Sequence, residues 1–116
     1  MIVDDERDIA VIFKSGLERS GFLVDVFEEP SDALSHYKPN FYDLLLIDVR
    51  MPRMSGFELL EEILKVDPSA KACFITAFEI QFKDHFKHRT CIIKKPISLK
   101  ELVIKIRQEI DGQVLR

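Results

Sequence analysis

The sequence predicts an α/β fold, a doubly wound five-stranded parallel sheet with helices on both faces. Three observations lead there. Short β-rich runs alternate with longer stretches whose apolar residues recur at helical spacing, five times along the chain. The run Leu44-Leu45-Leu46-Ile47 shows no polar alternation, which suits a central strand buried on both faces. The 116 residues, 47% of them hydrophobic, suffice for one core and one domain.

Taken in order, Ile2-Val3 is the stub of a first strand that ends in Asp4 and Asp5. Ile9, Ile12, Phe13 and Leu17 follow at helical spacing, with Gly21 after the helix end. Phe22 to Phe27 is a short β-rich run ending at Glu28-Glu29, and Ser31 is placed to cap a brief helix that Pro39 stops. The third strand ends in Asp48. Ser55-Gly56-Phe57-Glu58 has the form of a capping box and leads a helix bearing Leu59, Leu60, Ile63 and Leu64, closed by Pro68. Ala70 to Ile75 is the fourth strand, with Thr76 at its end. Phe78, Phe82 and Phe86, four apart, predict a short fourth helix. Cys91-Ile92-Ile93 is the last strand, ending at Lys94, Lys95 and Pro96. Ser98 to Glu101 is a second capping-box pattern, opening a final helix that buries Leu99, Leu102, Val103, Ile106 and Ile110.

Several functional classes fall away. No apolar run approaches the roughly 20 residues of a membrane-spanning helix, and the start of the chain lacks the basic-then-apolar form of a signal peptide. The expected location is cytoplasmic. Neither a P-loop nor a dinucleotide-binding glycine motif is present. Cys73 and Cys91 fall on neighbouring predicted strands and are expected to be small buried hydrophobes. His85 and His88 have no third ligand beside them. The basic last helix lacks stacking aromatics, so direct nucleic-acid binding is not expected. Charge is divided along the chain: residues 1–29 carry eight acids and three bases, residues 83–116 four acids and nine bases.

In doubly wound sheets the ligand site lies beyond the C-terminal ends of the strands. Those ends are Asp4-Asp5, Glu28-Glu29, Asp48, Thr76 and Lys95. Singly, Asp4 and Asp5 would be helix caps, Thr76 a strand-end hydroxyl and Lys95 a surface lysine. Together they form a chemical set. Three carboxylates at one edge repel each other unless a cation intervenes. Oxygen ligands without His or Cys suit a hard cation, Mg²⁺ before Ca²⁺. A hydroxyl and a lysine opposite would hold phosphoryl oxygens, so the set reads as a metal-assisted phosphoryl-transfer site with a carboxylate nucleophile.

Asp4-Asp5, Asp48 in Asp-Val-Arg-Met-Pro, Thr76-Ala77 and Lys95-Pro96, in that order and each at a strand end, resemble the response-regulator receiver domain. The resemblance spans essentially the whole chain and implies a flavodoxin-like sheet of order 2-1-3-4-5, with residues 1–116 one receiver domain and no output domain. It further implies that Asp48 accepts a phosphoryl group from the histidine of a sensor kinase or a histidine phosphotransfer protein. Asp5 and Asp48 would ligate Mg²⁺ directly, the main-chain carbonyl of Arg50 would contribute, and Asp4 would act mainly through water. Thr76 and the backbone N–H of Ala77 would bind phosphoryl oxygens. Lys95 would pair with the phosphoryl charge, and the Lys95–Pro96 peptide would be cis. Enzymatic activity would be limited to self-phosphorylation and self-dephosphorylation.

Three departures from the family pattern stand out. Strand one is short, the stretch from Thr76 to Lys95 is short, and Ile92 occupies a position where receivers often carry an aromatic. These departures are expected to fall on the face of helix four, strand five and helix five, which in the family usually carries the output. Here that face would present Lys83, Lys87, Ile92 and Lys94 to an acidic effector segment or to a second copy in a homodimer. A bulky Phe78, two residues beyond Thr76, would shield the phosphoryl group and slow its loss. The rival readings are a receiver-like interaction module that works without phosphorylation, and the receiver part of a larger DNA-binding transcriptional regulator.

Overall fold

The computed structural model describes residues 1–77 and 90–112, in which the chain runs β1 (Ile2–Val3), α1 (Arg7–Arg19), β2 (Val26–Phe27), α2 (Pro30–His36), β3 (Leu45–Asp48), α3 (Gly56–Val66), β4 (Ala72–Thr76), β5 (Thr90–Lys94) and α4 (Leu99–Asp111). All strand pairs are parallel and their order is β2-β1-β3-β4-β5. The doubly wound, flavodoxin-like sheet is therefore the observed architecture. The expected fourth helix around Phe78–Phe86 lies outside the described residues, as do Lys83 and Lys87.

The two-residue period of a strand explains why both faces are covered. Leu45 and Ile47 of β3 and Phe74 of β4 point to one side, where Leu59, Leu60 and Ile63 of α3 and Ala33 of α2 pack on them. Leu46, Cys73, Ile75 and Ile93 point to the other, against Ala10, Phe13 and Leu17 of α1 and Leu102 and Ile106 of α4. Every residue of β3 and β4 is buried. No helix among the described residues is long and apolar enough to cross a membrane.

Some local expectations are corrected. The β-rich run shrinks to Val26–Phe27, and Leu23 is 98% exposed, because only those two residues find partners on β1. Helix α2 begins at Pro30 with Glu29 as N-cap, not at Ser31: proline's fixed φ and missing N–H suit the first helical position. On α1 the buried stripe is Ala10, Phe13, Gly16 and Leu17, which turns Ile12 outward at 54% exposure. Both halves of the capping box form at Ser55, with Glu58 N–H donating to Ser55 Oγ at 3.1 Å and Ser55 N–H to Glu58 Oε1 at 2.9 Å. At Ser98 only one half forms: Glu101 N–H donates to the hydroxyl, whose proton goes to Glu101 Oε1. Cys73 and Cys91 are not separate apolar fillers. They face each other in register on β4 and β5, with Cα atoms 4.5 Å apart, and form a disulfide.

Candidate functional site

The ends of β1, β3, β4 and β5 bring the acidic and basic residues together. Asp4 directly follows β1 and Asp48 is the last residue of β3; they are 1% and 6% exposed. Their burial follows from position, because each ends a strand enclosed by neighbours on both sides. Lys95 follows β5, and its N–H donates to the Thr76 carbonyl at 2.8 Å, extending the ladder one residue past the strand. Its side chain reaches back over the sheet edge. Lys95 Nζ donates to Asp4 Oδ2 at 3.3 Å and Glu6 Oε1 at 3.2 Å, and lies 4.0 Å from Asp48 Oδ1. The Lys95–Pro96 peptide is cis. Asp4 Oδ1 accepts the Glu6 N–H at 2.9 Å, a local turn that folds the acidic run over the strand end.

The loop after β3 packs down on Asp48 because Gly56 lacks a side chain. A Cβ at Gly56 would collide with the Asp48 carbonyl oxygen and come within 2.9 Å of Ile47 Cγ2. The Gly56 N–H donates to the Val49 carbonyl at 2.9 Å, tying the start of α3 to the residue after Asp48.

Charge at this edge is unbalanced. Burial, then the charge of Asp4, pushes the Asp48 carboxyl up to about 7; Lys95 opposes this, and a hydrogen bond and charge from Asp5 add to it. Burial likewise raises Asp4, against the pull of the Glu6 N–H and Lys95. For Lys95, burial is the largest influence and works downward, but Asp4, Asp48 and Glu6 together hold its ammonium above the ordinary value. The Lys95 ammonium brings one positive charge to the three carboxylates of Asp4, Glu6 and Asp48.

Carboxylate oxygens of Asp4, Glu6 and Asp48 lie within 4.8 Å of one another. An all-oxygen cluster short of positive charge fits a hard divalent cation. Of the expected ligands, Asp4 and Asp48 belong to this cluster, whereas Asp5 is exposed and lies outside it, with its charge acting on Asp48. Glu6 is the addition that sequence reasoning missed. Its only signal was being third in Asp4-Asp5-Glu6, a place a helix-start acid also takes. Thr76 is 1% exposed at the end of β4, Ala77 is exposed just after it, and Arg50 is exposed two residues past Asp48. Ile92 and Lys94, one pleat apart on the edge strand β5, are half-buried and exposed respectively. Glu28 and Glu29 stay outside the cluster; Glu29 pairs with Arg53 at 3.0 Å on the surface.

Residues 1–107 match the family model of the response regulator receiver domain. Among curated proteins, the chain is 28% identical to the response regulator receiver protein CpdR of Brucella abortus, over 93% of this chain and 92% of that protein. It is 30% identical to the transcriptional regulatory protein CreB of Escherichia coli, over 91% of this chain but 48% of the relative's length. Among solved structures, a CheY-like receiver domain protein from Methanospirillum hungatei superposes with a TM-score of 0.85 at 30% identity, covering 96% of this chain and 91% of the other. Receiver domains of this family generally bind Mg²⁺ at their acidic pocket and work in two-component signal transduction with histidine kinases and effector domains.

Proposed function

The chain belongs to the response regulator receiver domain family, and from that premise we propose that it is a phosphorylation-dependent switch whose phosphoacceptor is Asp48. The observation that carries this reading is the convergence of Asp48, Asp4 and Lys95 at one sheet edge, with Lys95 Nζ 4.0 Å from Asp48 Oδ1. An Asp48 carboxylate oxygen attacks the phosphorus of a phosphohistidine on a sensor kinase or phosphotransfer protein. The phosphorus–nitrogen bond breaks and the imidazole leaves with its electron pair. Lys95 holds one phosphoryl oxygen, Thr76 and the Ala77 N–H hold others, and Asp4, Asp5, Asp48, Glu6 and the Arg50 carbonyl would hold the cation. Mg²⁺ supplies neutralisation of the phosphoryl charge when bound.

New charge on Asp48 draws Lys95 away from Asp4 and Glu6, which shifts the end of β5 and so the surface around Ile92 and Lys94. An effector protein, or a second copy of the chain, reads that surface. The domain occupies the chain as a single unit, acts in the cytoplasm and needs no separate substrate. A second reading, the receiver part of a longer DNA-binding regulator, is supported by the relative named as transcriptional regulatory, about half of whose length the chain spans.

Intact mass after incubation with Mg²⁺ and acetyl phosphate tests the switch. A single phosphoryl adduct in the wild type and none in Asp48→Asn is expected. No adduct from any donor or kinase would favour an interaction module that works without phosphorylation.

A further inference from the structure

Cys73 and Cys91 are the protein's two cysteines, and the site chemistry uses neither. They stand opposite each other in register on β4 and β5. Cys73 is fully buried and Cys91 is half-buried, so a reagent from solvent meets Cys91 first. The pair is also placed with respect to the acidic pocket. Thr76 is three residues beyond Cys73 on one strand and Lys95 four beyond Cys91 on the other. Among the described residues, β5 is the sheet edge and pairs with β4. A covalent bond across that pair therefore holds the strand carrying Lys95 to the strand carrying Thr76.

We propose that Cys73–Cys91 is a reversible thiol–disulfide exchange site, whose co-substrate is a small disulfide of the glutathione class and whose oxidation state sets how firmly β5 is held beneath Lys95. In the oxidising direction, the Cys91 thiolate attacks one sulfur of the small disulfide. That S–S bond breaks, a mixed disulfide forms on Cys91, and the first small thiolate leaves and takes up a proton. The Cys73 thiolate then attacks the Cys91 sulfur, the mixed disulfide breaks and the second small thiolate leaves. Two protein thiols lose two electrons and two protons, and the small disulfide gains both as two thiols. Reduction is the same path reversed. With the bond closed, β4 and β5 keep their register; with it open, β5 is held by its ladder and by the packing of Ile93 against the core side that includes α4.

The effect on phosphorylation rests on the reading of Asp48 given above, whereas exchange and clamping do not, so the experiment has separable arms. The purified protein is equilibrated with mixtures of reduced and oxidised glutathione, quenched in acid, unfolded in urea so that buried Cys73 is reachable, alkylated with N-ethylmaleimide and weighed intact. Forms with no adduct and with two adducts should interconvert as the ratio changes, and Cys73→Ala should accumulate the mixed disulfide at Cys91. Adduct numbers independent of the ratio would overturn the proposal. Hydrogen exchange at the Lys95 amide, bonded to Thr76, should be roughly tenfold faster in the reduced protein, with Cys91→Ala matching that state in either buffer. Equal exchange in both states would overturn the clamp.

The rate of adduct formation from acetyl phosphate should differ between the two states. Equal rates would overturn the coupling, and no adduct in either state would overturn the Asp48 reading while the first two arms still decide this one. A carboxylate oxygen of Glu109 lies within 4.8 Å of both sulfurs. Uptake of one Zn²⁺ by the reduced protein, lost in Glu109→Gln, would make the cluster a metal site and overturn the exchange role.

Discussion

Replacing Asp48 with asparagine keeps the side-chain shape and removes a charge from a site 6% exposed to solvent. The Asp48 carboxyl, ordinarily near 3.8, is pushed up to about 7, first by burial and next by Asp4. At about 1.4 kcal/mol per pH unit, ionising it in the folded protein costs up to about 4 kcal/mol relative to the unfolded chain. The folded state binds this proton more tightly than the unfolded state does. Stability from this group is therefore fully present below about pH 4, falls as the pH rises towards 7 and then levels off. The raised carboxyl of Asp4 acts in the same direction. In Asp48→Asn that slope should flatten, and at pH 8 with divalent cations chelated the variant should be more stable by about 2–4 kcal/mol. The new amide can donate to the carboxylates beside it, which limits its own burial cost. Urea unfolding followed by circular dichroism at fixed thiol redox state, from pH 5 to pH 8, measures both effects. A variant no more stable than the wild type at pH 8, or a wild type whose stability does not fall across that range, would refute the electrostatic account of the pocket. Added Mg²⁺ should stabilise the wild type more than the variant.

Lys95→Met removes the ammonium that bridges Asp4 and Glu6, and at neutral pH without divalent cations it should cost about 3 kcal/mol in urea unfolding and push the Asp48 titration, followed by carbon NMR, still higher. Gly56→Ala forces a methyl group against the Asp48 carbonyl, and should destabilise by about 1–3 kcal/mol and weaken Mg²⁺ binding measured by calorimetry. Tyr37→Phe removes the 2.6 Å hydrogen bond to Asp67 Oδ2, at the sheet end remote from the pocket; the urea midpoint should fall while Mg²⁺ affinity stays unchanged. Full reduction of Cys73–Cys91, whose residues are 18 apart in sequence, should cost about 3 kcal/mol of unfolding free energy through loop-closure entropy, checked by urea titration with and without dithiothreitol.

The strand ends were legible because their signals are local and one-dimensional. Leu44 to Ile47 needed only its lack of polar alternation to read as a central strand, and Asp48 needed only to follow it. Helix starts were legible where Ser and Glu sit three apart, as at Ser55, and less so where proline geometry displaced Ser31 as the cap. The edges of β2 were not legible, because pairing there depends on which residues of β1 remain to be met.

What the sequence by itself determined, then, was the order of elements, the apolar faces and the set of acidic, hydroxyl and lysine groups at the strand ends. Hydrophobic period and strand-end chemistry are properties of neighbouring residues. Tertiary structure alone decided the rest. Lys95 is 91 residues from Asp4, yet its ammonium lies 3.3 Å from that carboxylate, so the partner of each charge depends on how β1 and β5 are stacked in the sheet. Glu6 became part of the pocket through a turn stabilised by Asp4, and Asp48 acquired its high pKa only once burial and Asp4 acted on it together. The two cysteines show the same division: sequence put them on adjacent strands, and register put one sulfur against the other.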